Sequence, residues 1–231
     1  MKLLALETSA DTASVALALG SHTLVRQGGA PGTHARILLG WVSELLAEAE
    51  CALSHLDGIA FSAGPGSFTG LRLAISVAQG LASGSDLPLV AVPTFEALAL
   101  AQGDGQYLVC VDARMSEVYS GLLVVDGERI ESYPDIRVGK PDLLPRPPGD
   151  LSEWSGCGSG FALPAVADLP WIASLAEVRA GAAAHAREVA RLGQRQLAAG
   201  RITDAALATP LYVRDKVAST TAERLAAGGR A

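Results

Sequence analysis

Short apolar runs separated by polar turns dominate the first third of the chain. Residues 3–6 form one run, residues 14–19 a second and residues 22–26 a third, with a polar turn at residues 9–12 and Gly20-Ser21 between the last two. Runs this short, broken by turn-forming residues, predict three β-strands joined as hairpins. After Gly28-Gly-Ala-Pro-Gly32 the hydrophobic period lengthens to that of a helix, and Thr33 stands where the N-cap of a helix reaching about Ala49 belongs. Residues 59–61 and 89–92 are apolar runs each followed by helical periodicity, the first by a helix over residues 69–83. Such runs predict buried parallel strands.

The second half begins in the same way. Residues 108–111 end in Asp112 as residues 3–6 end in Glu7; residues 118–125 then form a strand, and Asp126-Gly127 matches the turn at Gly20-Ser21. The match is of pattern more than identity, and it predicts a duplicated lobe. Further on, a Pro-rich loop occupies residues 145–149 and a second glycine cluster residues 155–160. Ser174 and Glu177 have capping-box spacing for a long Ala-rich helix closing at Gly200. The expected architecture is α/β, with an N-terminal lobe (residues 1–103) and a C-terminal lobe (residues 104–231) facing across a cleft. The stretch after Tyr212-Val-Arg214 either folds back on the first lobe or stays loose, Gly228-Gly229 favouring fraying.

With 231 residues, 49% of them hydrophobic and 18% charged, the chain has ample material for a packed core. Its net charge of −6 argues against a basic nucleic-acid footprint, so an RNA substrate needs a partner to bring the cations. Three widely spaced cysteines without a Cys-x-x-Cys pair read as reduced thiols. The first apolar run breaks at Glu7-Thr-Ser, too early for a secretory signal, and no stretch is long enough to span a bilayer. A soluble cytoplasmic globule without membrane contact is expected.

The most telling stretch is Gly64-Pro-Gly-Ser-Phe-Thr-Gly70. A strand feeding a helix through clustered glycines leaves bare N–H groups that favour an anion, yet no Gly-Lys-Ser/Thr follows as in a phosphate loop. Glu7, Asp11 and Asp112 stand at strand ends or adjoining turns, where they would face the cleft and hold Mg²⁺; turn chemistry is the simpler account of Asp11. His22, His34, His55 and His185 show no metal-ligand spacing and read as structural or surface groups, with His34 on the apolar side of its helix.

Both first-lobe helices are more apolar than one sheet contact requires. At about 100° per residue, Leu71, Leu73, Ala74, Ile75, Val77, Ala78, Leu81 and Ala82 cover an arc of roughly 200°, about twice the stripe a sheet-packed helix needs. Gly70, Ala74, Ala78 and Ala82 recur every fourth residue as a smooth ridge that admits a neighbouring helix. Ile37, Leu38, Trp41, Val42, Leu45, Leu46 and Ala49 give the preceding helix a similar surplus. Either the two helices bury one another, or the surplus is a partner surface.

Leu6-Glu7-Thr8-Ser9, Gly64-Pro-Gly-Ser-Phe-Thr-Gly70, Ala78-Gln-Gly-Leu81 and Asp112-Ala-Arg-Met115 with Glu117-Val-Tyr119 together resemble the bacterial TsaB (YeaZ) family of tRNA threonylcarbamoyladenosine biosynthesis proteins. The resemblance covers essentially the whole chain and is strongest in the first half. It implies an actin-like (RNase H-like) ATPase fold and service as a non-catalytic partner of TsaD. TsaD transfers a threonylcarbamoyl group to the adenosine beside the anticodon of certain tRNAs, and a small ATPase, TsaE, joins the pair. Contact with tRNA is then only indirect.

Where TsaD-like paralogues carry a His-x-x-x-His metal pair, this chain reads Thr94-Phe-Glu-Ala-Leu98; where they carry Ser-Gly-Gly-His-Thr, it reads Asp112-Ala-Arg-Met-Ser116. Neither threonine nor leucine replaces imidazole as a ligand, and Asp112, Arg114 and Met115 repel and block phosphate. Glu7, Thr8, Ser9, Asp11, Gly64, Gly66 and Ser67 are then a remnant nucleotide face. No catalytic residue and no metal site is expected, and no cofactor held by this chain alone; ATP or ADP with Mg²⁺ belongs at most at a joint with a partner. Ile37, Trp41, Leu45, Gly70, Ala74, Ala78 and Ala82, with Arg72 and Gln79 at the rim, form the expected dock for TsaD, and the same patch pairs two copies as a homodimer. The alternatives are a stand-alone ATP hydrolase or small-molecule kinase using Asp11 and the glycine loop, and a metallopeptidase, which the missing ligands oppose.

Overall fold

Three hairpin-linked strands open the computed structural model, which describes residues 1–133 and 136–213. The expectations for the segment after Arg214, Gly228-Gly229 included, lie outside the described residues. β1 (Lys2–Glu7), β2 (Ala13–Leu19) and β3 (His22–Gly28) are followed by α1 (His34–Glu48), β4 (Gly58–Gly64), α2 (Phe68–Ser85), β5 (Leu89–Pro93) and α3 (Thr94–Leu100). They form a five-stranded sheet ordered β3-β2-β1-β4-β5, in which β1, β4 and β5 run parallel.

The second half repeats this topology. β6 (Gly105–Arg114), β7 (Glu117–Asp126) and β8 (Arg129–Ser132) are antiparallel, β9 (Arg137–Gly139) pairs with β7, and β10 (Trp154–Cys157) and β11 (Glu177–Arg179) run parallel to β6. The order β8-β7-β6-β10-β11 is that of the first sheet, strand for strand. The two-lobed α/β architecture expected from the repeated hairpin pattern is the one observed. No helix among the described residues is long and apolar enough to cross a membrane.

Both faces of the first sheet are covered, which is why its strands are almost wholly apolar. The two faces differ in bulk. Leu4, Leu6, Val15, Leu17, Ile59 and Phe61 pack towards α1 and α2, whereas Leu3, Ala5, Ala16, Ala18 and Ala60 form the opposite core. After the short α4 (Pro164–Ala167), the small-residue face receives α5 (Ala186–Ala198), which packs on β1, β2 and β4. The approach is close: a Cβ on Gly193 would lie 2.6 Å from Ala60 Cβ.

The start of α5 corrects one expectation. Ser174 closes a 3-10 turn (Ile172–Ser174) and Glu177 enters β11, so the pair caps no helix. Strand pairing of β11 with β10 outweighs the helical propensity of the alanines around it. The true cap is His185, whose Nδ1 accepts from Arg187 N at 3.1 Å. The far end is as expected, with Gly200 in the left-handed region at φ +69°.

His185 Nε2 lies 2.6 Å from Gln27 Oε1, so the neutral ring uses both nitrogens. Burial, helped by the nearby Arg187 charge, holds its pKa below the usual histidine range. The unfolded chain takes up this proton as pH falls through about 6.5 while the folded chain resists, so stability drops below that pH. We expect the loss of Tm on acidification from about pH 7.5 to about 5.5 to shrink in His185→Asn, which retains a capping acceptor. An identical loss in the variant would rule the ring out as its source.

Candidate functional site

β1 ends in Glu7, and the chain then turns through residues 8–12 against the start of α2. Glu7 is fully buried; Ser62 Oγ donates to its Oε2 and Ser9 N to its Oε1. Burial pushes its pKa up, against the opposing pull of those hydrogen bonds. Ser67 N donates to Ser9 O at 2.9 Å, and Thr8 Oγ1 donates to Gly70 O at 2.6 Å. The glycines of the motif exist for this contact. A Cβ on Gly66 would stand 2.7 Å from Ser9 Cβ, and one on Gly70 only 1.8 Å from Thr8 O. Ser67 caps α2, its Oγ accepting from Gly70 N at 3.3 Å. The loop therefore grips the first turn where an open anion cradle was expected.

Thr94, legible in the sequence only as a lost ligand, holds this loop from below. It is buried, and its Oγ1 accepts from Gly64 N at 3.0 Å. Thr94→Val keeps the shape and strands that amide, so a loss of about 1–3 kcal/mol is expected in urea unfolding. Unchanged stability would mean that Gly64 N finds another acceptor.

A cavity of about 690 Å³ opens between the two sheets. Ser9, Asp11, Gly66 and Ser67 line it, together with Thr94, Leu98, Asp112, Arg114 and residues 210–213, whereas Glu7, Thr8 and Gly64 stand behind its wall. The buried His34 donates from Nε2 to Asp11 O at 3.1 Å and so fixes the first turn. Arg114 Nη1 is 3.1 Å from Asp112 Oδ2, and Nη2 reaches Asp11 Oδ1 at 3.9 Å across the cleft. Arg114, Met115 and Ser116 all have positive φ (60°, 55° and 60°), a left-handed turn between β6 and β7 that non-glycine residues adopt at a cost.

A polyphosphate would meet two carboxylates and one guanidinium already engaged with both. The backbone approach it needs is filled by Thr8 and Ser9. Thr94 and Leu98, at the positions of the paralogues' histidine pair, are a hydrogen-bonded hydroxyl and a core side chain.

The helical patch divides in two. Gly70, Ala74, Ala78, Ala82 and Leu45 are buried within the chain itself, the alanines at 0–1% exposure, because α2 needs small residues to lie close on β4 and β1. The expected ridge is thus a sheet contact. Gln79 is no rim residue either: Nε2 donates to Ala205 O at 2.6 Å and Ala208 O at 3.3 Å. Arg72 stacks on Phe68, 3.8 Å from the ring centre, and donates to Tyr212 Oη at 3.5 Å. What remains outside is, towards Gly28 and Gly29 at the end of β3, the pair Ile37 and Trp41 and, on the other flank of α1, a half-buried apolar face of Leu46 with Leu73, Val77 and Leu81 on α2. Leu39 is 52% exposed beside it, and nothing lies within 4 Å of a Cβ placed on Gly40, Gly80 or Gly84.

Known proteins are similar to this chain in sequence and fold. The family model of tRNA N6-adenosine threonylcarbamoyltransferase (TsaD) matches residues 26–222. The TsaB protein of Haemophilus influenzae is 40% identical over 129 residues, 54% of this chain and 54% of the relative, so the match spans about half of that relative's length. TsaB of Escherichia coli is 33% identical over 172 residues, 70% of this chain and 72% of the relative. A transferase from Maricaulis maris is 47% identical over a shorter stretch of 68 residues, 18% of its length. The solved structure of YeaZ from Pseudomonas aeruginosa superposes with a TM-score of 0.82 at 34% identity, covering 91% of this chain and 99% of that one. The chain therefore belongs to the TsaB (YeaZ) family of tRNA threonylcarbamoyladenosine biosynthesis proteins, within the wider fold family that includes TsaD.

Proposed function

We propose that this chain is a non-catalytic subunit that docks on a TsaD-type transferase and supports threonylcarbamoyl transfer to the adenosine beside the tRNA anticodon. The observation that carries this reading is the outer face of α1 and α2, where the half-buried Leu46, Leu73, Val77 and Leu81 lie beside Gly80 and Gly84, which have open space above them. Bare glycines between half-buried apolar side chains let another helix pair approach closely. The short, strong match to a transferase supports an origin shared with the partner, whose equivalent helices would complete a four-helix contact. Two copies of this chain pair through the same face.

TsaE is the third member under this reading, and a nucleotide with Mg²⁺ belongs at the joint, where the partner supplies the cations. The net charge of −6 leaves tRNA contact to the transferase. The cytoplasm is the compartment this chemistry requires. The test is to assay transfer to tRNA with this chain, with purified TsaD and with both, alongside size-exclusion of the mixture. A joint peak, with product that depends on both chains, supports the reading. Product from this chain alone, or a transferase indifferent to its presence, overturns it.

A further inference from the structure

We propose that residues 203–213 form a strap closed over the interlobe cleft, with the Gln79 side chain as its clasp. Beyond Gly200 the chain leaves α5 and crosses back over the first lobe. Thr203 N donates to Leu89 O at 2.8 Å on the free edge of β5, the 3-10 turn Ala205–Leu207 lies on α2, and Leu211 N donates to Ala63 O at 2.7 Å near the end of β4. Residues 210–213 then form part of the cleft wall.

Between those two backbone anchors the strap makes no strand ladder. Its hold there is the half-buried Gln79 amide, which donates to Ala205 O and Ala208 O, with Ala208 seated in the core beneath. Little else is buried: Leu207 is 73% exposed, Leu211 46% and Tyr212 52%. A segment with few buried apolar contacts and a handful of hydrogen bonds opens at low cost, independently of the sheet below it. Much of the rest of the cleft wall comes from the ends of strands and helices of the two lobes, among them Thr94, Leu98, Val111 and Tyr119. Lifting the strap uncovers the cavity from this side while both sheets stay intact. The clasp sits on α2, so the cleft cover and the docking face share a helix, although the strap stands whatever protein docks there.

Hydrogen exchange on the full chain tests this, with a thiol reporter, Ala184→Cys, placed on the cleft wall where the native residue is buried. Cys51, Cys110 and Cys157 are buried and stay silent. Gln79→Leu keeps the side-chain size and removes both donors. Exchange over residues 203–213 is expected to speed up about ten-fold, with labelling of the reporter rising in step, while α2 and β4 keep their protection. Leu211→Pro, which removes the second anchor, should act in the same direction. The proposal fails if the strap exchanges as before in both variants, if α2 and β4 lose protection together with it, or if it loosens without exposing the reporter.

Discussion

Gly70→Ala is expected to unfold the first lobe, although the same substitution ten residues later should stabilise it. Both glycines lie in α2, where alanine is intrinsically better by about 1 kcal/mol. At Gly80 nothing occupies the space of the new methyl group, so that gain is realised. At Gly70 the methyl carbon would fall 1.8 Å from Thr8 O, and the obstacle is backbone that Thr8 Oγ1 itself ties to Gly70 O. Neither partner can yield without pulling β1 off β4 or α2 off its cap. A loss of more than about 3 kcal/mol is expected, enough to abolish a cooperative transition in a marginal domain. Urea unfolding of the two variants side by side measures the contrast. A Gly70→Ala protein as stable as the parent would mean that the loop grips nothing.

The duplicated topology was legible because it is written in local patterns: two sets of hairpin-linked runs, each followed by strands flanked by turn residues. The start of α5 was not, because what decides Glu177 is pairing with Ser155 in β10, far from it in sequence. Helical periodicity grouped Gly70, Ala74, Ala78 and Ala82 on one face correctly, but it carries no sign. The face met the chain's own sheet, and the residues left half-exposed were the larger neighbours Leu73, Val77 and Leu81. The glycine loop misled for a related reason. Glycines that admit a phosphate and glycines that admit another backbone look alike in sequence, and only the position of Thr8 and Ser9 separates them. One signal was available: a glycine in the first turn of an otherwise strong helix costs stability, so its presence at residue 70 marked a close approach. For Gln79 no local signal exists, since its acceptors lie 126 and 129 residues away.

The sign of that face leads to the second large effect. Gly80→Arg is expected to weaken binding to a TsaD-type partner by about a hundred-fold or more, and to leave the fold intact. The position is exposed and open above, so an arginine there costs the isolated chain little. In a complex built on Leu73, Val77 and Leu81 it would stand in the middle of the contact, where burying an unpaired guanidinium is strongly unfavourable. Ala78→Arg makes the necessary comparison. That side chain is fully buried against the chain's own sheet, so arginine there should destroy folding and binding together and says nothing about partners. Titration of the folded variant against the transferase, with sedimentation to read self-association, separates the outcomes. If Gly80→Arg abolishes both associations, one face serves both. If it dissolves the homodimer and spares the transferase complex, the two use different surfaces, and full-affinity binding by Gly80→Arg and Val77→Arg alike would remove this face of α2 from the interface altogether.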